Sequence, residues 1–136
     1  MHVPARAAAV LAALVTPALV ATAQAPPAEI FGRVVDDAGA GIPGVVLKLN
    51  GIAADGEQVD QQALSGPDGW WKFGALPVGR YSLTEVQPGG YRDGPDTPGT
   101  AGGVAEPPDT IAGVELARGQ RAIGYEFVEL HPAPTG

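Results

Sequence analysis

The chain has 136 residues, of which 8 are basic and 15 acidic, and it contains no cysteine. Its length allows one domain, and its formal net charge of −7 argues against a nucleic-acid-binding surface, which needs basic residues to meet the phosphates. The same charge disfavours an anionic membrane surface, and the lack of cysteine excludes disulfides, a thiol nucleophile and a lipid-modified cysteine. The domain must therefore be stabilised by its core or by a bound metal.

Residues 1–23 are predicted to be a signal peptide. Arg6 precedes an apolar run over residues 7–20, and small residues follow it up to Ala23, after which we place the cleavage site. The alternative is a membrane anchor, but the run falls short of the about 20 apolar residues that a span needs, and Pro17 interrupts it. Cleavage would remove Arg6 and leave 15 acidic residues with a net charge of about −8. The predicted location is secreted, periplasmic or cell-surface; neither an LPxTG-like sorting motif nor a lipobox occurs in the sequence.

The remainder of the chain predicts an all-β domain of seven strands. After a flexible lead at residues 24–28, the alternation of apolar and polar residues predicts strands at 29–36, 45–50, 59–65, 70–75, 80–87, 110–116 and 121–130. Gly and Pro cluster between these segments, as they do in turns, and no segment has a long helical period. Short strands at this spacing indicate one two-sheet antiparallel sandwich over residues 29–130, followed by a tail at residues 131–136.

The alternation also predicts which side chains form the core. In the hairpin of residues 70–87, the predicted core residues are Trp71, Phe73, Leu76, Tyr81 and Leu83. In the last strand, Ile123, Tyr125 and Phe127 are predicted to share one face. The Gly- and Pro-rich residues 88–109 are predicted to be an irregular loop, and loops on a rigid sandwich are the usual location of binding sites.

Three segments resemble a known family. "GRVVDDAGAGIPGVVLKLNG", "DGWWKFGALPVGRYSLTEVQPGGYRDGPDTPGTAGG" and "DTIAGVELARGQRAIGYEFVEL" occur in this order and cover nearly all of residues 29–130. Together they resemble the SdrD B-like domains of bacterial surface proteins and, more loosely, the B-type domains of collagen-binding adhesins. The resemblance implies an Ig-like or prealbumin-like sandwich that serves as a rigid extracellular spacer or adhesion module, commonly stabilised by calcium.

Four aspartates are candidate calcium ligands. Asp93 and Asp96 lie three apart in the Gly- and Pro-rich loop, where short acidic side chains and backbone carbonyls can converge on one Ca²⁺ ion. Asp36 and Asp37 end the first strand and would join them if both loops lie at one end of the sandwich. The alternative is that an Asp in a turn bonds its own backbone. The first loop carries no acid after Asp37, where the family has several, so the sequence predicts a weak site, with no cofactor required.

Glu85 is the unusual residue of its strand, because it shares a face with Tyr81 and Leu83. In the collagen-adhesin domains, a glutamate at the matching place promotes an isopeptide bond from a lysine on the first strand. Arg33 stands where that lysine would fall, and arginine is too basic to serve as the nucleophile. We therefore interpret Glu85 as an ion-paired residue near the end of the sandwich, with Arg33 or Arg92 as its partner.

Trp70 is predicted to point away from the core, where an indole ring can stack on a sugar. A single aromatic platform is weak evidence, because a binding site needs several converging groups. Catalysis is not predicted: His131 lies in the tail, and neither Ser65 nor Ser82 has the sequence context of a nucleophile.

The sequence therefore predicts an exported, monomeric, non-catalytic structural or adhesive module. Its partner would be an extracellular protein or polysaccharide, and neither nucleic acid nor a membrane is expected. The alternative is a small secreted carbohydrate- or protein-binding module that uses Trp70 and the loop of residues 88–109.

Overall fold

The computed structural model describes residues 27–132, so the predicted signal peptide and the end of the tail lie outside the described residues. Within this range the chain forms nine strands and no helix. The strands are β1 (Ala28–Asp36), β2 (Val46–Ala53), β3 (Gln58–Leu64), β4 (Trp70–Leu76), β5 (Gly79–Glu85), β6 (Arg92–Thr97), β7 (Val104–Glu106), β8 (Thr110–Leu116) and β9 (Arg121–Leu130). A helix long and apolar enough to cross a bilayer is not found among these residues.

The strands form two sheets that pack face to face. The four-stranded sheet has the order β4-β1-β9-β6, and the five-stranded sheet has the order β3-β2-β5-β8-β7. All neighbours pair antiparallel except β1 and β9, which run parallel at the centre of the four-stranded sheet. The predicted sandwich is confirmed, with this one parallel pair as a departure from the expected antiparallel arrangement.

The count of seven strands was wrong. All seven predicted strands are present with small shifts at their ends, but β6 and β7 also lie in residues 88–109, which were predicted to be irregular. The sequence of β6, "RDGPDT", has no alternating apolar residues. This strand pairs with β9 through its backbone and contributes little to the core, so it does not require apolar side chains. β7 has only three residues, too few to show a period.

The core lies between the two sheets and is lined by the predicted residues. All five side chains predicted for the hairpin are buried, as are their neighbours on the other strands. Two core tyrosines also fasten loops, because each hydroxyl donates a hydrogen bond to a backbone carbonyl. Tyr81 binds Pro77 with an O···O distance of 2.6 Å, and Tyr125 binds Gly102 at 2.7 Å. The second bond anchors the connection between β6 and β7 to the core.

Ile123 departs from the predicted face. It is 48% exposed, while Ala122 directly before it and Tyr125 two residues after it are buried. In the β1–β9 ladder, Ile30 lies opposite Ala122 and Gly32 lies opposite Tyr125, so two steps on β1 match three on β9. The extra residue is a β-bulge, which shifts the inward face by one position. Gly124 allows it, because its φ of 87° is one that other residues adopt only with strain.

Gly124→Ala is expected to lower the free energy of unfolding by about 1 kcal/mol, because left-handed backbone costs a non-glycine residue about 1–2 kcal/mol and the lower entropy of the unfolded chain offsets part of this. Steric overlap does not contribute, since the nearest atom to the added Cβ would be Gly99 Cα at 3.7 Å. Urea unfolding measures the change. Gly89→Ala is the matched control, because Gly89 has open space and an ordinary φ; equal effects of the two changes would contradict the strain.

Candidate metal centre

Two glutamates face each other inside one end of the sandwich. Glu85 is the last residue of β5 and continues the buried face of Tyr81 and Leu83, while Glu129 continues the buried face of Phe127 on β9. Glu85 is 2% exposed and Glu129 is 0% exposed. All four carboxylate oxygens are buried and lack a hydrogen-bond partner among the described residues. Burial of unpaired carboxylates is costly, so the pair must be neutralised by other means.

Two aspartates complete this group. One carboxylate oxygen from each of Glu85, Asp93, Asp109 and Glu129, which we call the carboxylate cluster, lies within 4.8 Å of the others. Asp93 lies directly opposite Glu129 in the β6–β9 ladder. Asp109 directly precedes β8, and its carbonyl oxygen accepts a hydrogen bond from the Glu85 N–H at 2.9 Å. The cluster therefore joins both sheets through the ends of four strands.

Further oxygen atoms lie beside the cluster. Asp96 has one carboxylate oxygen that is buried without a hydrogen-bond partner in the described part of the chain. Gln87 presents a buried amide oxygen in the same condition, while its Nε2 donates to the Tyr91 carbonyl at 3.2 Å. Among residues 27–132, the ion pairs formed by Lys, Arg and His involve neither Asp96 nor any carboxylate of the cluster.

Burial and mutual repulsion raise the pKa values of these acids. Loss of hydration, with the neighbouring Glu129, Asp109 and Asp96 charges, raises the pKa of Glu85 to about 10. Loss of hydration and the Asp109 and Glu129 charges raise the pKa of Asp93 to about 7, and loss of hydration with the Asp93 charge does the same for Asp96. Burial also raises the pKa of Glu129. A hydrogen bond between the two glutamates forms only when one holds a proton, so the cluster needs either protons or a cation.

The donor set fits a calcium ion. Ca²⁺ binds six to eight oxygen ligands at about 2.3–2.6 Å, so ligands on opposite sides of the ion lie about 4.8 Å apart. The cluster offers four carboxylate oxygens within that separation, all of them hard ligands. The buried oxygens of Asp96 and Gln87 add to the supply of ligands nearby. Carboxylates without imidazole or thiolate suit Ca²⁺ better than zinc or copper.

The four predicted ligands fall into two groups. Asp93 belongs to the cluster and Asp96 lies beside it, but Asp36 and Asp37 make other contacts. Asp36 Oδ1 accepts hydrogen bonds at 2.9 Å from the N–H groups of Ala38 and Ala40, as in the turn alternative. Asp37 Oδ1 lies 2.8 Å from His131 Nδ1, and this contact lowers the pKa of Asp37.

The interpretation of Glu85 as the partner of an arginine was wrong. Arg33 Nε donates to the carbonyl of Asp68 at 2.9 Å, and Arg92 Nη2 donates to the carbonyl of His131 at 3.2 Å. The partner of Glu85 is Glu129, which the sequence reasoning missed. A signal was present, because Glu129 follows the buried face of Phe127 by two residues, and an acid at a core position is rare. Asp109 carries no such signal.

Trp70 points outward as predicted and is 58% exposed. It lies on β4, at the edge of the four-stranded sheet, and the guanidinium of Arg33 lies 5.3 Å from the centre of its ring. This side chain is separate from the carboxylate cluster, because it lies on the outer face of the sheet whose inner face carries Glu129.

No family model and no curated protein sequence matches this chain. Solved structures match its fold. The Bacillus anthracis TIE protein has a TM-score of 0.53 and 19% identity over 78% of this chain. The major pilin SpaD of Corynebacterium diphtheriae has a TM-score of 0.52 and 12% identity over 81% of this chain. The minor pilin GBS52 of Streptococcus agalactiae has a TM-score of 0.51 and 15% identity over 83% of this chain.

The chain spans only part of the length of each of these proteins. It covers 17% of the TIE protein, 30% of SpaD and 48% of GBS52. At identities this low, the similarity shows a shared fold. The domain thus has a β-sandwich architecture that is also found within these proteins.

In a chelator, the unfolding midpoint is expected to fall as the pH rises. The folded protein keeps protons on Asp93 and Asp96 up to about pH 7 and on Glu85 up to about pH 10, whereas these acids titrate near 3.8 and 4.5 when unfolded. Between those values the unfolded chain binds fewer protons, so stability decreases with pH. Thermal unfolding in EDTA over this range measures the slope.

Glu85→Gln is expected to flatten this slope and to raise the midpoint at alkaline pH in EDTA, because it removes one buried ionisable group and keeps its shape. Glu115→Gln, at an exposed position on β8, serves as the control and is expected to change stability by less than about 0.5 kcal/mol. A wild-type midpoint that rises with pH in the chelator would contradict the raised pKa values.

Proposed function

We propose that this protein is an exported, non-catalytic structural or adhesive module whose sandwich is stabilised by Ca²⁺ bound at the carboxylate cluster. The observation that carries the proposal is the pair of buried glutamates, whose oxygens lack partners in the described residues and lie beside two aspartates. Such a group is stable at neutral pH only if its charge is neutralised, and a divalent ion does so without protonation.

The structural or adhesive role is supported by the shared fold of the pilin structures and by the resemblance to SdrD B-like domains. Both kinds of protein are built from sandwiches of this type, and the predicted signal peptide would deliver this one outside the cytoplasm. An extracellular protein or polysaccharide is the expected partner. Export also places the domain where calcium is more abundant than in the cytosol, which suits a site of modest affinity.

The proposal assigns no chemical step to the domain. Ser65 is buried and its hydroxyl is fully used, since Oγ donates to the Ile42 carbonyl at 2.7 Å and accepts from the Val45 N–H at 2.8 Å. His131 is held by Asp36 and Asp37 at the chain end. These contacts give both side chains a structural role.

Calcium would act by fixing an edge strand of the sandwich. β6 is rich in Gly and Pro, lies at the edge of its sheet and pairs irregularly with β9. An ion held by Asp93, Glu129, Glu85 and Asp109 would join this strand to both sheets. The bound state would therefore be stiffer at the end of the domain where the cluster lies.

Millimolar Ca²⁺ is expected to raise the unfolding midpoint relative to EDTA at neutral pH. Linkage gives a stabilisation of about 2.7 kcal/mol at about a hundred times the dissociation constant, which corresponds to roughly 10 °C in a domain of this size. Mg²⁺ at equal concentration is expected to have a smaller effect, because it requires shorter bonds and stricter octahedral geometry. Thermal unfolding of the purified protein measures both.

The double variant Asp93→Asn with Asp109→Asn is expected to abolish the calcium effect and to be less sensitive to chelation than the wild type. Asp37→Asn is the matched control, since Asp37 contacts His131 outside the cluster, and it should keep the full calcium response. Superimposable wild-type curves in EDTA and Ca²⁺ would reject the calcium site. Loss of the response in the Asp37 variant instead would place the site at the first loop.

A further inference from the structure

A groove of about 480 Å³ lies on the outer face of the four-stranded sheet, away from the core. It runs between β1, β4 and β9, and the side chains on its walls include Phe31, Arg33, Trp70, Arg121, Ile123 and Glu126. Its volume is within the range of about 300–1,000 Å³ that small-ligand sites occupy. Neither the fold nor the carboxylate cluster accounts for this groove.

The apolar wall of the groove depends on the bulge in β9. If the register of Tyr125 and Phe127 continued without the extra residue, Ile123 and Arg121 would point into the core. The bulge at Gly124 turns both side chains outward and buries Ala122 in their place. Bulges often re-aim side chains toward a site, and here the result is that an isoleucine and an arginine line the same groove as an exposed indole.

Basic side chains lie against the aromatic rings of the groove. The guanidinium of Arg121 lies 4.6 Å from the centre of the Phe31 ring, and that of Arg33 lies 5.3 Å from the Trp70 ring. Lys72 lies 5.7 Å from Phe31 and pairs with Glu29 at 3.4 Å. Neither guanidinium has a carboxylate within 4.0 Å in residues 27–132.

The concentration of these cations is unusual for an acidic chain. Residues 27–132 contain seven basic side chains against 15 acidic ones, and three of the seven lie around this one groove together with two acids, Glu126 and the Glu29 that pairs with Lys72. Guanidinium groups bind carboxylates through two parallel hydrogen bonds, and the neighbouring aromatic surface holds the guanidinium plane in place. The groove is therefore complementary to a ligand that is both flat and anionic.

We propose that this groove binds an acidic polysaccharide, with a uronic acid ring stacked on Trp70 and carboxylates along the sugar chain bound by Arg33 and Arg121. Sugar rings present C–H groups to the electron-rich face of an indole, and Glu126 offers an acceptor for hydroxyl groups. A protein partner fits less well, because a stable interface buries about 800 Å² on each side and the apolar wall here consists of three side chains.

The groove and the carboxylate cluster act independently. The groove lies on the outer face of the four-stranded sheet and the cluster on its inner face, and Glu126, the groove residue of β9 nearest to the cluster, is three positions from Glu129, about 10 Å along an extended strand. Glycan binding is therefore expected in EDTA as well as in Ca²⁺, and its failure would not bear on the calcium site.

Isothermal titration of the full chain tests the proposal with three uronic acid probes: a galacturonic acid trimer, a mannuronic acid trimer and a hyaluronan tetrasaccharide. At least one is expected to bind and to change the tryptophan fluorescence. Its methyl ester, which keeps the rings and removes the charge, is expected to bind about tenfold more weakly, as are the variants Trp70→Ala and Arg121→Gln. Arg118→Gln, at an exposed turn outside the groove, is the matched control and should leave the affinity unchanged.

Three results would overturn the proposal: binding of none of the probes, equal binding of acid and ester, or wild-type affinity in both groove variants. Thermal unfolding of each variant establishes that it is folded. Should Trp70→Ala be unfolded, Trp70→Phe and Arg121→Gln carry the test, and an unchanged affinity in both would equally reject the site.

Discussion

The repulsion between Glu85 and Glu129 is the constraint on which the rest of this sandwich depends. The alternation that buries Tyr81 and Leu83 also buries Glu85, and the alternation that buries Tyr125 and Phe127 also buries Glu129. Each carboxylate follows the buried face of its strand, so the register that buries the neighbouring core residues also holds the carboxylate in the interior. The two sheets therefore close at this end only if the charge between them is neutralised, so the state of the cluster and the stability of the core are linked.

Protons and a divalent cation solve this problem in opposite ways. Protons neutralise the cluster at low pH, where the pair can share a hydrogen bond, and the benefit is lost as the carboxyls ionise. A cation requires the ionised form, so its binding strengthens as the protons leave. Asp93 lies on β6 and belongs to the cluster, so β6 takes part in both the protonated and the cation-bound state. With an ion present, this Gly- and Pro-rich edge strand gains an anchor to both sheets that its backbone pairing alone does not provide.

Local alternation was sufficient to predict the seven longer strands, the core of the central hairpin and the outward position of Trp70. It failed where structure depends on pairing between distant segments. β6 has no apolar period, because it is held by backbone hydrogen bonds to β9. Ile123 does not lie on its predicted face, because the alternation of apolar residues does not indicate where a bulge occurs. The carboxylate cluster needed the register of both sheets, since Asp93 meets Glu129 only through the β6–β9 ladder. Of the two cluster residues that were not predicted, Glu129 and Asp109, only Glu129 could have been found from the sequence, because it occupies a core position of its strand.

Gly124 connects the two ends of β9. The strand must bury Glu129 and Phe127 at one end while presenting Arg121 and Ile123 at the other, and a regular strand cannot do both with these residues, because they all share one parity. A single extra residue changes the parity between the two halves, and only glycine accepts the required backbone at low cost. The bulge thus allows one strand to line the cluster inside the sandwich and the groove outside it. A mutation that removed the bulge while keeping the cluster would turn Arg121 and Ile123 into the core, so the groove depends on the bulge even when the register of the cluster end is kept.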